Sequence, residues 1–200
     1  MYRYTETNDI VIGTPMACRE HEDLKGLIGF FVNMIPLRNQ LEGSYSFEKL
    51  LQQVKENTLE AYDHQMYPFE MLVNDLKLIR NPARNPLFDM VVTADVSAIS
   101  KDDDPNDALT LNMFSSLDEN RNLEVSKYDI RIRFLEVENE IRVNILFNKD
   151  LYKRERIEAL GERLLELTKA VIADPMMQLD DYQLDDSLIE QQNIVADFNF

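Results

Sequence analysis

The amino-acid sequence predicts an α+β domain. Two stretches carry apolar residues at three- and four-residue intervals, one after Ser46 and one from about Lys153 to Ala173, and this spacing is typical of amphipathic helices. A third stretch, residues 128–147, alternates apolar and polar side chains, which is typical of half-buried strands. These patterns follow one another irregularly. They therefore favour the α+β class over the regular strand–helix alternation of a parallel α/β fold.

The N-terminal part of the chain predicts one strand, a loop and an apolar stretch. The strand covers Asp9 to Gly13, and Thr14-Pro15 is expected to end it because proline cannot donate to a central ladder. Residues 19–25 are polar and are expected to form a loop. The apolar stretch that follows, Leu27 to Leu37, contains Gly, Asn and Pro.

The middle of the chain predicts two helices. Ser46 can cap the first, with Glu48 near its positive end and Tyr45 placed to pack on Leu50. Its expected buried stripe is Phe47, Leu50, Leu51, Val54, Thr58, Ala61 and Tyr62. Pro68 is expected to open the second helix, which runs to about Leu78, because a proline in the first turn loses no helical hydrogen bond.

The second half predicts three strands and a long helix. Leu87 to Ala94 is a continuous apolar run of the kind buried on both faces, and residues 97–108 form an acidic loop. The alternating stretch predicts a hairpin turning at Glu138-Asn139. Its expected cross-strand pairs are Phe134 with Val143, Ile132 with Ile145 and Ile130 with Phe147, and its polar face carries Arg131, Arg133, Arg142 and Asn144.

The C-terminal helix is expected to bury one apolar face and to end at Asp174-Pro175. That face carries Ile157, Leu160, Leu164, Leu167 and Val171. Residues 176–200 lose this periodicity and become acidic, as a linker would.

Charge and composition exclude several functions. The 200 residues carry a net charge of −16 with a pI near 4.5, whereas a nucleic-acid or anionic-membrane partner requires a positive patch. No apolar run reaches the roughly 18 residues of a membrane helix, and the N-terminus does not resemble a secretory signal. The single cysteine, Cys18, excludes an internal disulfide and fits a reducing compartment. We expect a cytoplasmic protein with neither a nucleic-acid nor a membrane partner.

Self-contained catalytic chemistry is nearly absent from the sequence. The two histidines, His21 and His64, have no second ligand at zinc spacing, so no metal is expected. There is no Gly-x-Ser-x-Gly motif, and Cys18 is better suited to a core than to catalysis. The acidic stretch from Asp102 to Met113 fits a calcium loop only in its first three ligand positions, and a solvated surface loop is favoured.

Three segments remain that periodicity does not explain. They are residues 28–33, 64–70 and 80–87, rich in aromatic residues, proline and arginine. Taken singly, each is better interpreted as core, helix start or turn. Their order and spacing favour a common function.

In that order the segments resemble motifs of the condensation domains of nonribosomal peptide synthetases. Residues 12–19 resemble I-G-T-P-x-A-x-R. Residues 29–38 resemble G-F-F-V-N-T-x-x-x-R, with Met34 in place of Thr. Residues 64–70 resemble H-Q-D-x-P-F-E, departing at Met66, and residues 80–87 resemble R-D-x-S-R-N-P-L, with Asn81 for Asp and Ala83 for Ser. Since the F-F-V-N and R-N-P-L segments are kept, the chain resembles a condensing member rather than an epimerization or heterocyclization relative.

The resemblance implies a mixed β-sheet covered by helices, as one lobe of a two-lobed fold similar to chloramphenicol acetyltransferase. The family's catalytic His-His-x-x-x-Asp-Gly segment belongs to the first lobe, and no adjacent His pair occurs in this sequence. We therefore expect residues 1–178 to be the second, C-terminal lobe, inactive alone, and residues 179–200 to be a linker towards an adenylation domain. The implied partners are the N-terminal lobe, peptidyl carrier proteins and that adenylation domain.

The implied reaction is amide-bond formation in a tunnel between the lobes, with substrates carried on phosphopantetheine arms and no cofactor bound directly. The resemblance places Asn33 near the tunnel and gives Arg38 a supporting role or a carrier contact; no catalytic residue is assigned. The remaining motif residues are assigned mainly to lobe architecture: Gly29, Phe30, Phe31, His64, Gln65, Pro68, Phe69, Glu70, Arg80, Arg84, Asn85 and Pro86. Two alternatives stay open. One is a non-catalytic docking module, and the other is a free-standing acyltransferase relative that uses His64.

Overall fold

The computed structural model describes residues 2–5, 7–19, 21–78, 84–95, 128–137 and 140–182. Its strands are β1 (Asp9–Met16), β2 (Asn33–Gln40), β3 (Met90–Asp95), β4 (Ile130–Val137) and β5 (Glu140–Phe147). Its helices are α1 (Tyr2–Thr5), α2 (Glu22–Lys25), α3 (Phe47–Asp63), α4 (Phe69–Asp75) and α5 (Arg154–Ala173).

The described strands form one mixed sheet in the order β2-β1-β3-β4-β5. β1 and β2 are antiparallel, as are β4 and β5, while β3 joins the two pairs through parallel contacts with β1 and β4. The α+β class is therefore confirmed, with a mixed sheet that carries helices.

The hairpin of β4 and β5 has the predicted register. Ile130 pairs with Phe147, Ile132 with Ile145 and Phe134 with Val143, and the predicted turn residues lie outside the described part of the chain. The polar face differs from expectation in one respect. Arg133 is only 8% exposed, and its guanidinium contacts the Asp95 carboxylate of β3 at 2.8 Å, so this cation is buried against a partner.

A hydrophobic core lies between strands β3 to β5 and helix α5. Met90, Ile130, Ile132 and Ile157 are buried together, and Leu160 and Tyr152 pack against them. α5 starts after Lys153 and ends at Ala173, as predicted.

The first strand is longer than predicted. β1 continues through Thr14 and Pro15 to Met16, and Pro15 pairs with Met34 of β2. The expected break is wrong because β3 pairs with β1 at Gly13 alone. Around Pro15 the described strands give β1 a ladder partner only in β2, so proline is tolerated there.

Helix α3 begins as predicted but is less buried. The Ser46 side chain accepts a hydrogen bond from the Lys49 amide at 3.2 Å and caps it. None of its residues is fully buried, and Leu51 and Tyr62 of the predicted stripe are exposed. The physical reason is its position: α3 lies against β2, the edge strand of the sheet, so only part of its apolar face is covered.

Other boundaries differ by a few residues. Pro68 is the N-cap of α4 and not its first residue, and the helix ends at Asp75, two residues before Lys77 turns the chain with a φ of 50°. α2 falls in the predicted loop 19–25, and β3 starts at Met90 and not at Leu87. The predicted acidic loop 97–108 lies outside the described residues.

The chain after α5 folds back onto the start of α3. The Leu179 amide donates to the Tyr45 carbonyl at 2.8 Å, and the Asp180 amide donates to the Gly43 carbonyl at 3.1 Å. The Tyr182 side chain is 3% exposed, and its hydroxyl donates to the Asp174 carbonyl. We call residues 174–182 the C-terminal strap. The strap contacts the domain without any helical periodicity, and the domain boundary at residue 178 stays a prediction.

Candidate functional site

Asn33 is the centre of the site. It is the first residue of β2, where it pairs with Met16 at the end of β1. Its side-chain amide donates to the Gln65 and Tyr67 carbonyls, both at 2.8 Å, and its oxygen accepts from the Phe69 amide at 3.1 Å. A single side chain therefore satisfies three backbone groups of the connection between α3 and α4.

Cys18 strengthens the same junction from β1. Its side chain is buried, and its thiol lies 3.5 Å from the Gln65 carbonyl, which Asn33 also contacts. Its φ of 50° is in the left-handed region, so the chain turns sharply after β1. We call Cys18, Asn33 and residues 64–69 the Asn33 junction.

Residues 26–31 form a loop that leads into Asn33 and is fixed by Arg19. The Arg19 guanidinium donates to the Leu24 and Leu27 carbonyls and, at 3.4 Å, to the Gly29 carbonyl. It also lies 4.3 Å from the centre of the Phe31 ring. Gly29 permits this arrangement, because a Cβ there would lie 2.9 Å from that ring.

Phe69 connects the junction to the interior. Its ring lies 5.5 Å from Phe88, which lies 6.1 Å from Tyr128 before β4. Phe88 also covers Gly13, where a Cβ would come within 2.2 Å of its ring. Phe88, which directly follows the R-N-P-L residues, thus places an aromatic ring against β1.

The structure does not bring Arg38 to the Asn33 side chain. The two residues are five positions apart on β2, so their side chains project from opposite faces of the sheet. Arg38 instead makes a bidentate contact with Asp9, at 2.9 and 2.6 Å. Hydrogen bonding to Arg38 lowers the pKa of the Asp9 carboxyl below its usual value, and the pKa of Arg38 is raised in turn.

The other predicted motif residues are divided between the junction and the surface. His64 is the exposed C-cap of α3 and lines two shallow cavities of about 370 and 310 Å³. Glu70 is exposed in the first turn of α4. Arg84 and Pro86 are exposed and Asn85 is half-buried, while Arg80 lies outside the described residues.

A group of charges at the start of β3 and β4 was not predicted. Desolvation raises the pKa of Asp129, the neighbouring Asp89 raises it further, and Arg84 opposes both. Burial likewise raises the pKa of Tyr152 beside them. The motif residue Arg84 was the available sequence signal. Its acidic neighbours, Asp89 and Asp129, directly precede β3 and β4, and the sequence alone does not show that these strands pair.

The described residues contain neither a cluster of possible metal ligands nor a helix long and apolar enough to cross a membrane. They contain no group of three or more metal-ligating side chains, and the stretch considered for calcium lies outside them. Every helix in the described ranges is too short or too polar to cross a bilayer.

Comparison with known proteins gives consistent matches. Residues 1–194 match the family model of the condensation domain. Bacitracin synthase 1 of Bacillus licheniformis is 38% identical over 198 residues, and tyrocidine synthase 3 of Brevibacillus parabrevis is 35% identical over 182 residues. These matches cover 98% and 91% of this chain, which spans only 4% and 3% of the two synthases.

Solved structures share the fold at lower identity. The X-domain from teicoplanin biosynthesis has a TM-score of 0.75 at 23% identity, over 91% of this chain and 41% of that one. The starter condensation domain of rhizomide synthetase RzmA has a TM-score of 0.65 at 20% identity, over 92% of this chain and 42% of that one. The four-domain nonribosomal peptide synthetase holo-AB3403 has a TM-score of 0.74 at 20% identity, over 91% of this chain and 14% of that one.

Proposed function

Because this chain belongs to the condensation domain family of nonribosomal peptide synthetases, we propose that it is the C-terminal half of such a domain. In this proposal it contributes one wall of the tunnel in which an amide bond forms. The amine of a carrier-bound aminoacyl thioester attacks a carrier-bound acyl or peptidyl thioester, and the donor's carrier thiol leaves.

The observation that carries this proposal is that nearly all of this chain aligns with less than half of the solved domains. More than nine tenths of this chain aligns with about two fifths of the X-domain and starter condensation domain chains. The order of the four motifs agrees with the second lobe of the family, and the sequence has no adjacent histidines. The proton-accepting histidine is therefore assigned to the rest of the domain.

The role we assign to this half is to hold substrates in position. The donor thioester is already activated, so the rate depends strongly on orienting the amine and the acyl carbon. The Asn33 junction ties the start of β2 to the α3–α4 connection through three hydrogen bonds. Such a fixed wall fits this task, and the partners of the wall are the remaining lobe, the peptidyl carrier domains and a following adenylation domain.

The proposal is tested by amide formation in a complete condensation domain that contains this chain. With loaded donor and acceptor carrier proteins, we expect dipeptide product by mass spectrometry from the complete domain and none from the 200 residues alone. In the complete domain we expect Asn33→Ala to slow product formation, with Asn144→Ala on the exposed surface of β5 as the control. Product from the 200 residues alone would contradict the proposal, and loss of that product in His64→Ala would then support an independent acyltransferase.

A second function is a docking module without catalysis. An X-domain of the same fold, with a TM-score of 0.72, is found in a complex with OxyB. If the complete domain binds a partner protein but forms no amide with any loaded carrier pair, we assign docking in place of condensation.

A further inference from the structure

We infer that helix α3 couples the C-terminal strap to the Asn33 junction, so that releasing the strap loosens the contacts of Asn33 at the far end of the helix. Hydrogen bonds at both ends of α3 and along its side carry this inference. Its consequence for amide formation rests on the proposed function, because only there is the Asn33 junction part of the tunnel wall.

The strap holds the N-terminal end of α3. The Pro175 carbonyl accepts a hydrogen bond from the Glu48 amide at 3.0 Å. Glu48 lies in the first turn of the helix, where amides have no acceptor within the helix, so the strap supplies one from outside. Gln178 also forms a backbone bridge with Ser46, the N-cap residue. The first turn of α3 is therefore bound by the strap at two positions.

The Asn33 junction continues directly from the other end of α3. The helix ends at Asp63, and the Gln65 amide still donates to the Tyr62 carbonyl of its last turn, at 3.1 Å. The carbonyl of the same Gln65 accepts a hydrogen bond from the Asn33 side chain at 2.8 Å. A shift of the last turn of α3 therefore moves an atom that Asn33 binds.

Helix α3 is stiff along its axis but weakly held across it. Its 17 residues span about 25 Å of hydrogen-bonded backbone. It has no buried residue, whereas α5 has three. Polar side chains hold α3 to the edge of the sheet: Gln53 donates to the Gln40 carbonyl at 2.8 Å, and Asn57 donates to the Arg38 carbonyl at 3.2 Å. An element with so little buried surface is displaced at a lower free-energy cost than a core helix.

The coupling connects the tunnel wall to the segment that follows the strap. Residues 183–200 come next in the chain, and in the proposed function they lead towards an adenylation domain. A displacement of this segment is passed through the strap and α3 to the carbonyl that Asn33 binds. Because such coupling is reciprocal, loss of the Asn33 contacts also loosens the hold of the strap on α3.

The test is hydrogen exchange in the complete condensation domain, read by mass spectrometry at single-residue resolution. Tyr182→Ala removes the buried ring of the strap, and Ile157→Ala, in the core beneath α5, is a control of comparable destabilisation. We expect exchange at the Phe69 amide, which donates to Asn33, to be about tenfold faster in Tyr182→Ala than in Ile157→Ala. In Asn33→Ala we expect the Glu48 amide to respond in the same way.

A second pair of variants tests whether the helix itself transmits the change. Glu56 is exposed in the middle of α3. In a Glu56→Gly background the response of Phe69 to Tyr182→Ala should fall to about threefold or less, because a flexible glycine absorbs the displacement. In the matched Glu56→Ala background the full response should remain.

Two results would overturn the inference. Equal exchange at Phe69 in Tyr182→Ala and Ile157→Ala would show that the junction follows only the global stability. An equal response in both Glu56 backgrounds would show that the strap acts by a route other than α3. Amide formation by the wild-type domain is measured in parallel. An active domain without the exchange response refutes this inference alone, whereas the exchange response in an inactive domain refutes the proposed function alone.

Discussion

Single residues in this chain act mainly by satisfying backbone groups or charges elsewhere in the fold. Arg19 and Asn33 each donate hydrogen bonds to backbone carbonyls of another segment, at Leu27 and Gln65 respectively. Arg38 instead binds a charged side chain: its guanidinium makes a bidentate contact with the Asp9 carboxylate. A substitution at any of these positions therefore has an effect at a second, identifiable place.

The pKa of Asp9 is expected to depend on Arg38. Hydrogen bonding to Arg38 lowers the pKa of Asp9 below 3.8, so the carboxylate stabilises the fold above that pH, and this contribution is lost as the pH falls through the lowered pKa. In Arg38→Met the Asp9 pKa should return to about 3.8 or slightly higher, measured by carbon-13 NMR of its carboxyl group. Arg142→Met, at an exposed position of β5, should leave it unchanged, and an equal shift in both variants would contradict the pairing.

The sequence identified Asn33 as a site residue, but it did not identify the groups that Asn33 contacts. The motif resemblance named Asn33, yet its three partners are backbone groups 32 to 36 positions away in a connection without periodicity. Backbone carbonyls and amides carry no side-chain signature, so no spacing rule could identify them. The role of Asn33 towards a substrate stays a prediction, as does that of Arg38.

At the scale of elements, sequence periodicity predicts which face of a helix or strand is apolar, but it does not predict burial or strand pairing near the edges of the sheet. The β4–β5 register was predictable, since a shift by one residue would have moved its apolar side chains to the polar face. The same reasoning overestimated the burial of α3, because periodicity shows which face is apolar but not how much of a sheet lies beneath it. The break at Pro15 was wrong for a related reason: whether a ladder is complete on both sides depends on tertiary pairing.

The link between β2 and the α3–α4 connection is expected to depend on Asn33. Asn33→Ala removes three hydrogen bonds that are each worth about 1 kcal/mol, so the free energy of unfolding should fall by about 3 kcal/mol in urea denaturation. Amide exchange at Phe69 should accelerate, because its N–H loses its acceptor. Asn144→Ala should change neither quantity, and an equally small effect of both variants would show that the junction is held by other contacts.

At the scale of the whole molecule, the C-terminal strap connects the end of the described chain to the segment before α3. Residues 43–46 lie between the end of β2 and α3, and the strap contacts them after the last helix of the described chain. Tyr2 adds a contact from the opposite terminus, since its hydroxyl donates to the Asp180 carboxylate at 2.9 Å. The strap was not predictable from pattern, because a short segment held by backbone hydrogen bonds and one buried ring has no periodicity.

The strap is expected to depend on Tyr182. Tyr182→Ala removes a ring that is 3% exposed and should lower the free energy of unfolding by about 3 kcal/mol, with faster proteolysis within residues 174–182. Tyr182→Phe removes only the hydroxyl contact with the Asp174 carbonyl and should cost about 1 kcal/mol. Leu165→Ala, on the exposed side of α5, serves as the control. Unchanged proteolysis in Tyr182→Ala would show that the strap is held by its backbone contacts alone.

The contact between Tyr2 and Asp180 joins residues that are 178 positions apart. During synthesis from the N-terminus, the β1–β2 pair can form early because its strands are close in sequence, whereas this closure must wait until nearly the whole segment has left the ribosome. Contacts of such long range also slow folding in general, since the chain loses much of its freedom before they form. The edge of β1 that pairs with β3 at Gly13 therefore has no partner until β3 has been synthesised.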